Sequence, residues 1–118
     1  MNKEQMDVDA YTGYCPVQVT IRLISGKWKV VVLYHLFDGK KRFSELMRIA
    51  GHVSQRTLTM QLRELERDGI IKRTVYAEVP PRVEYELTPL GETMRPIVES
   101  MREWGIWYKE ELGVRNEG

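Results

Sequence analysis

The side chains with the most chemistry to offer lie between Val53 and Gly69, in the stretch VSQRTLTMQLRELERDG. Wound as a helix at about 100° per residue, it places Arg56, Met60, Arg63 and Arg67 on one side, with Gln55 and Thr59 at the flank near its start. No acid sits in the middle of that face. Guanidinium, amide and hydroxyl groups bind phosphates and make single or bidentate hydrogen bonds to base edges in the major groove. The chemistry on offer is therefore recognition of a nucleic-acid duplex. An ordinary solvated helix face has a similar composition, so the neighbouring elements must decide.

Bond-making chemistry has no comparable support. There is no Gly-rich phosphate loop, no CxxC and no HExxH, so neither an enzyme nor a cofactor is expected. His35 lies in an apolar segment and reads as a core residue, while His52 sits in a turn just ahead of the arginine-bearing helix, within reach of a phosphate. Together with Cys15 they do not make a metal-ligand spacing. Cys15 is the lone cysteine and directly precedes Pro16, which places it at the N-cap of a helix. Unpaired backbone N–H groups and the positive end of the helix dipole activate a sulfur there toward oxidants or electrophiles. The other common fate of a free cysteine is a small buried hydrophobe, and both readings stand. With no second cysteine, any disulfide must join Cys15 to its mate in another subunit or to a small thiol.

The elements that would position these groups can be read from period and punctuation. Pro16 opens a helix over residues 16–25 with Val17, Ile21 and Ile24 along one face, and Gly26 ends it. Residues 27–37, KWKVVVLYHLF, are apolar nearly all round and predict a central buried helix anchored by Trp28; the run Val30-Val31-Val32 would also suit a strand, and length favours the helix. Asp38-Gly39 makes a turn, residues 40–43 a short strand, and Ser44 caps a helix over SELMRIA. Gly51-His52 then leads into Ser54, the N-cap of the arginine-bearing helix, with Val53 stapled on Leu58. Leu58, Leu62 and Leu65 form its core stripe and Gly69 its left-handed C-terminal cap. Two helices joined by a tight glycine-containing turn outline a helix-turn-helix.

After Gly69 the period changes to two. Residues 70–76 and the alternating Arg82–Leu87 predict two strands, joined by a proline-stiffened tip that carries Pro81 and Arg82 toward a groove or backbone. That hairpin is a wing, although an ordinary surface loop would look similar at this level. Thr88-Pro89 starts a last helix running to about Leu112, kinked by Pro96 near Glu92 and loosened at Gly105. Its apolar stripe, including Ile97, Met101, Trp104 and Tyr108, is longer than a small core needs and suits a dimer interface shared with Val17 and Ile21 of the first helix. Packing wholly within its own subunit is the alternative.

The expected class is α+β, mainly α: a winged helix-turn-helix domain with N- and C-terminal dimerisation helices. Residues 1–13 are expected to be frayed, 14–112 to form the single domain and 113–118 a tail. The 118 residues are 30% charged and 42% hydrophobic, as in ordinary soluble domains. No apolar run nears the ~20 residues of a membrane span, and no stretch reads as a signal peptide. With one cysteine as well, a cytoplasmic protein without a membrane partner is expected. Net charge is only +1, but residues 26–76 hold 11 Lys or Arg against 5 Asp or Glu, a local +6, whereas residues 89–118 hold 4 against 6, a local −2. A basic centre and a mildly acidic end suggest polyanion contact and partner contact respectively. Lys41, just ahead of the helix-turn-helix, is a candidate phosphate ligand.

Seven short motifs in order also resemble a known family. They are CPV at 15–17, GKW at 26–28, RF-x-EL at 42–46, SQR-x-LT-x-QLREL at 54–65, DGI at 68–70, VEY-x-LT-x-LG at 83–91 and EWG at 103–105. Together they resemble the HxlR-type, MarR-like bacterial transcription regulators over residues 14–108. That resemblance implies a homodimer binding a pseudo-palindromic double-stranded DNA operator, usually as a repressor, with the terminal helices forming the dimer. It places Ser54, Gln55, Arg56, Thr59, Met60 and Arg63 on the DNA side and Pro81 and Arg82 at the wing. Met60 departs from the more usual polar residue, so its contact would be apolar, for example a thymine methyl. Some family members use a cysteine equivalent to Cys15 to sense oxidants or quinone- and aldehyde-like electrophiles. The rival reading is a winged-helix module that binds protein without reading DNA; Arg56, Arg63 and Arg67 tell against it.

Overall fold

The computed structural model describes residues 13–113, so the expectations for 1–12 and 114–118 fall outside the described residues. Helix α1, Pro16–Ile24, starts as its proline predicts, and Gln18 reaches back to accept the Cys15 backbone N–H at 3.0 Å. None of its residues is buried. Helix α2, Lys29–Leu36, is shorter than expected and is covered on one side only: Val32, Leu33 and Leu36 are buried, while Tyr34 is exposed. Its apolar run is helical, which removes the strand alternative.

Strand β1, Lys41–Arg42, passes directly into helix α3, Phe43–Ala50. Ser44 is not its cap. Glu45 accepts the Arg42 backbone N–H at 2.9 Å, so the third helical position moves the cap two residues ahead of Ser44, to Arg42, and turns Phe43 against the core. Gly51, at φ 75°, ends α3 in a conformation that disfavours other residues. Helix α4, Gln55–Arg67, follows at once, capped by Ser54, whose hydroxyl accepts the Thr57 N–H at 3.1 Å.

The end of α4 is closed by two bonds. Gly69, at φ 79°, donates to the Glu66 carbonyl and Ile70 to the Leu65 carbonyl, both at 3.0 Å, which is the paired pattern of a Schellman turn. Strand β2, Ile71–Tyr76, starts on the next residue and pairs antiparallel with β3, Arg82–Leu87, from Ile71 opposite Leu87 to Tyr76 opposite Arg82. β1 adds to the other edge of β3, with Lys41 opposite Tyr85, giving the order β1-β3-β2.

Thr88 ties sheet to helix. Its hydroxyl accepts the Gly91 N–H at 3.0 Å and donates to the Gly69 carbonyl at 2.6 Å. Helix α5, Pro89–Glu92, then packs so closely that a Cβ on Gly91 would collide with the Ile70 carbonyl oxygen. The expected single kinked helix is two. Pro96 lacks an N–H and falls in the first turn of α6, Arg95–Glu111, where that loss is harmless, so the chain breaks at Thr93-Met94 and restarts. Gly105 leaves α6 unbroken.

The core gathers under α4. Leu58, Leu62 and Leu65 are fully buried with Leu33 of α2, Leu46 of α3, and Ile70 and Ile71 at the start of the hairpin. Each such side chain stabilises the fold by about 1.5–3 kcal/mol relative to exposure. Three helices around this core and a three-stranded sheet at its flank make a winged helix-turn-helix. Among the described residues no helix is long and apolar enough to cross a membrane.

Candidate nucleic-acid interface

The interface is built from the half of α4 that the core does not use. Because Leu58, Leu62 and Leu65 are buried, the same helical period turns Arg56, Met60, Arg63 and Arg67 to solvent, and all four are exposed. Ser54 and Gln55 are exposed at the N-terminal end, and Thr59 is half-buried at the flank. Ser54 spends its hydroxyl on the cap and on a 2.9 Å bond to Thr57 Oγ1. Among the described residues, Arg56, Arg63 and Arg67 lie within ion-pair distance of no acid. The face therefore presents three guanidinium groups, none ion-paired among the described residues, around one exposed thioether.

Other cations of the basic centre are already engaged. Lys29, included in the charge count of residues 26–76, is buried, and its Nζ lies 3.0 Å from Glu64 Oε1 on α4. Beside it, Gln61 Oε1 accepts the Trp28 backbone N–H at 2.9 Å. These two contacts lash the start of α2 to the inner flank of α4, and sequence reasoning missed both. Arg73 pairs with Glu66 at 3.6 Å and Lys40 with Glu86 at 3.7 Å. Lys41 is half-buried on β1 with no ion pair among the described residues. It faces Tyr85 in the sheet, where burial pushes the phenol above its ordinary value, opposed by the Arg73 charge.

The wing departs from the expectation of a protruding basic tip. Its outermost residues are Val79, Pro80 and Pro81, and Val79 is fully exposed. Arg82 sits on the first β3 position, not at the tip. Its guanidinium lies 3.3 Å from Glu78 and 3.6 Å from Glu84, and covers the Tyr76 ring at 4.1 Å. Two acids and an aromatic face hold it because the hairpin register places Tyr76 directly opposite Arg82.

Cys15 is exposed at the α1 N-cap, which excludes the small buried hydrophobe within this chain. Val17 and Ile21 are exposed on the same helix. On α6, Ile97, Met101, Trp104 and Tyr108 recur at helical spacing and all are exposed, with Trp104 and Tyr108 stacked at 5.0 Å. His35 is half-buried against Tyr34, and His52 is exposed in the turn before Ser54.

Comparison with known proteins agrees with this geometry. The family model described as HxlR-like helix-turn-helix matches residues 23–112. The HTH-type transcriptional regulator YdeP of Bacillus subtilis is 54% identical over 104 residues, covering 88% of this chain and 80% of its own. The redox regulator HypR in its reduced form superposes with a TM-score of 0.80 at 54% identity, covering 84% of this chain and 98% of its own. Its oxidised form superposes at 0.75 with 52% identity, covering 87% and 100%.

Proposed function

The chain belongs to the HxlR-like helix-turn-helix family of DNA-binding transcription regulators, and from that premise we propose that it acts in the cytoplasm as a homodimeric repressor on a pseudo-palindromic operator. One observation carries the reading: α4 buries its three-leucine stripe and turns out three arginines with no ion-pair partner among the described residues. Gln55, Arg56, Thr59, Met60 and Arg63 read base edges from the major groove, Ser54 fixes the helix start against the backbone, and Lys41 contacts phosphate. Pro81 brings the wing to the neighbouring groove.

Two copies are needed for a palindrome. α6 leaves Ile97, Met101, Trp104 and Tyr108 uncovered, and α1 with Val17 and Ile21 has no buried residue, so these helices supply the dimer surface. Two reader helices then enter successive major grooves about one turn, ~34 Å, apart.

Cys15 is the switch in this reading. Its relative HypR is a redox regulator seen in reduced and oxidised forms, and Cys15 is exposed at the N-cap of α1. An oxidant takes two electrons from two thiols, which lose their protons as an S–S bond forms between Cys15 and its mate or a small thiol; an electrophile instead alkylates the sulfur.

Selection of duplexes from a random pool by the reduced protein, followed by affinity measurement before and after mild oxidation, tests all of this. A two-fold symmetric motif is expected, with altered affinity after oxidation that Cys15→Ser abolishes. No enrichment at moderate salt would leave a winged helix that binds protein instead. A motif with no oxidation response, in wild type and Cys15→Ser alike, would remove the switch alone.

A further inference from the structure

The wing carries an inference that rests on DNA binding by α4 but concerns a different part of the contact. β2 is separated from the end of α4 by three residues, and its six residues carry the tip roughly 17 Å outward, far enough to reach the groove beside the one α4 occupies. A wing that grips a phosphate there would need a free cation. Residues 77–84 hold one cation, Arg82, and two acids, Glu78 and Glu84. Arg82 lies within 3.6 Å of both acids and over the Tyr76 ring, so its charge is already compensated, and its buried Nε is kept from a phosphate although no described residue accepts its hydrogen bond. Pulling it onto a phosphate would also leave two carboxylates uncompensated beside a polyanion. What the tip does present is Val79, fully exposed, with Pro80 and Pro81, also exposed. Exposed apolar residues at the end of a stiffened loop are the kind of wedge that enters a minor groove by shape.

We propose that the wing meets DNA through the apolar tip Val79–Pro80–Pro81 in the minor groove, and that Arg82 is a positioning residue that locks this tip through Tyr76, Glu78 and Glu84. An apolar wedge reads the groove floor sterically. The 2-amino group of guanine projects into that floor and A·T pairs lack it, so the flanks of the operator are selected as A·T against G·C. Arg82 meanwhile neutralises two acids that would otherwise repel the backbone.

The test uses the full chain and its selected operator, with the flanking base pairs replaced by A·T, G·C or inosine·C. Inosine·C lacks the 2-amino group, so it resembles A·T in the minor groove and G·C in the major groove. Expected are equal affinities for A·T and inosine·C flanks and about tenfold weaker binding to G·C flanks. Val79→Ser with Pro81→Ala should erase that preference and leave the central half-site selectivity intact. Arg82→Lys separates the two roles of the arginine. Lysine keeps the charge but cannot fork between two carboxylates while lying flat on a ring, so it should lose the flank preference as Arg82→Gln does, with thermal melts confirming that both variants fold. The proposal is overturned if Arg82→Lys behaves as wild type while Arg82→Gln lowers the salt slope by about one ion per subunit, which is the signature of a phosphate contact. Flank indifference in the wild-type protein would overturn it too. Absence of any selected motif would instead count against the reading of α4, a distinguishable failure.

Discussion

Two helices of this chain turn a full stripe to solvent, and they differ in what holds them. α4 has 13 residues and buries three leucines, so its place is set within its own subunit. α6 has 17 residues and buries only Val98, while its exposed stripe is aromatic and aliphatic. The outer face of α4 is cationic and costs little in water. The outer face of α6 is apolar and is worth covering. Amphipathic patterning alone does not separate the two cases, since both have the helical period. The distinction lies in which face the core has taken and in the chemistry left over: charge left outside suits the polyanion contact proposed above, whereas apolar surface left outside suits the proposed contact with a second copy.

Substitutions that act on one helix and spare the other test this contrast. The largest effect is expected for Trp104→Ala, which removes the biggest ring of the α6 stripe and should weaken dimerisation by about 2–4 kcal/mol in sedimentation equilibrium. The monomer should melt nearly as before, because Trp104 covers none of its core; a large loss of monomer stability would show that α6 packs inward and end the contrast. Next, Arg63→Ala should lower operator affinity by about 1–3 kcal/mol and random-duplex affinity much less, with dimerisation unchanged. Equal losses on both duplexes would reduce Arg63 to a backbone contact. Smallest is Lys41→Ala, on the edge strand and outside both helices: its slope of log affinity against log salt should fall by about one per subunit, with base preference intact.

Most of the architecture was legible because its signals are local. Ser54, Gly69 and the leucine stripe lie within one 17-residue stretch, and the strand from Arg82 to Leu87 announces itself by alternation. Local signals also misled. Ser44 looked like a cap, but Glu45 was better placed to bond Arg42. Pro96 looked like a kink, but with Thr93-Met94 ahead of it the cheaper solution is a fresh helix start. Within the candidate interface, the exposure of Arg56 and Arg63 followed from helical period, whereas the fates of Lys29 and Arg82 did not. Lys29 is neutralised by Glu64, 35 residues away, and Arg82 is held by a ring that only the hairpin register brings opposite. A formal charge count treats every cation as available, and the fold decides which ones are.

The Schellman turn after α4 has a mechanical consequence. Only Asp68, Gly69 and Ile70 separate the last helical residue from the first of β2, and both hydrogen bonds of the turn are made. Helix and hairpin are thus the two jaws of a caliper whose gap is set by backbone bonding rather than by packing at the far ends. On the docking proposed above, with α4 in the major groove and the wing in the groove beside it, such a caliper would measure the angular offset between them. An overwound or underwound duplex presents that offset wrongly, so the grip of this protein should register the torsional state of DNA as well as its sequence.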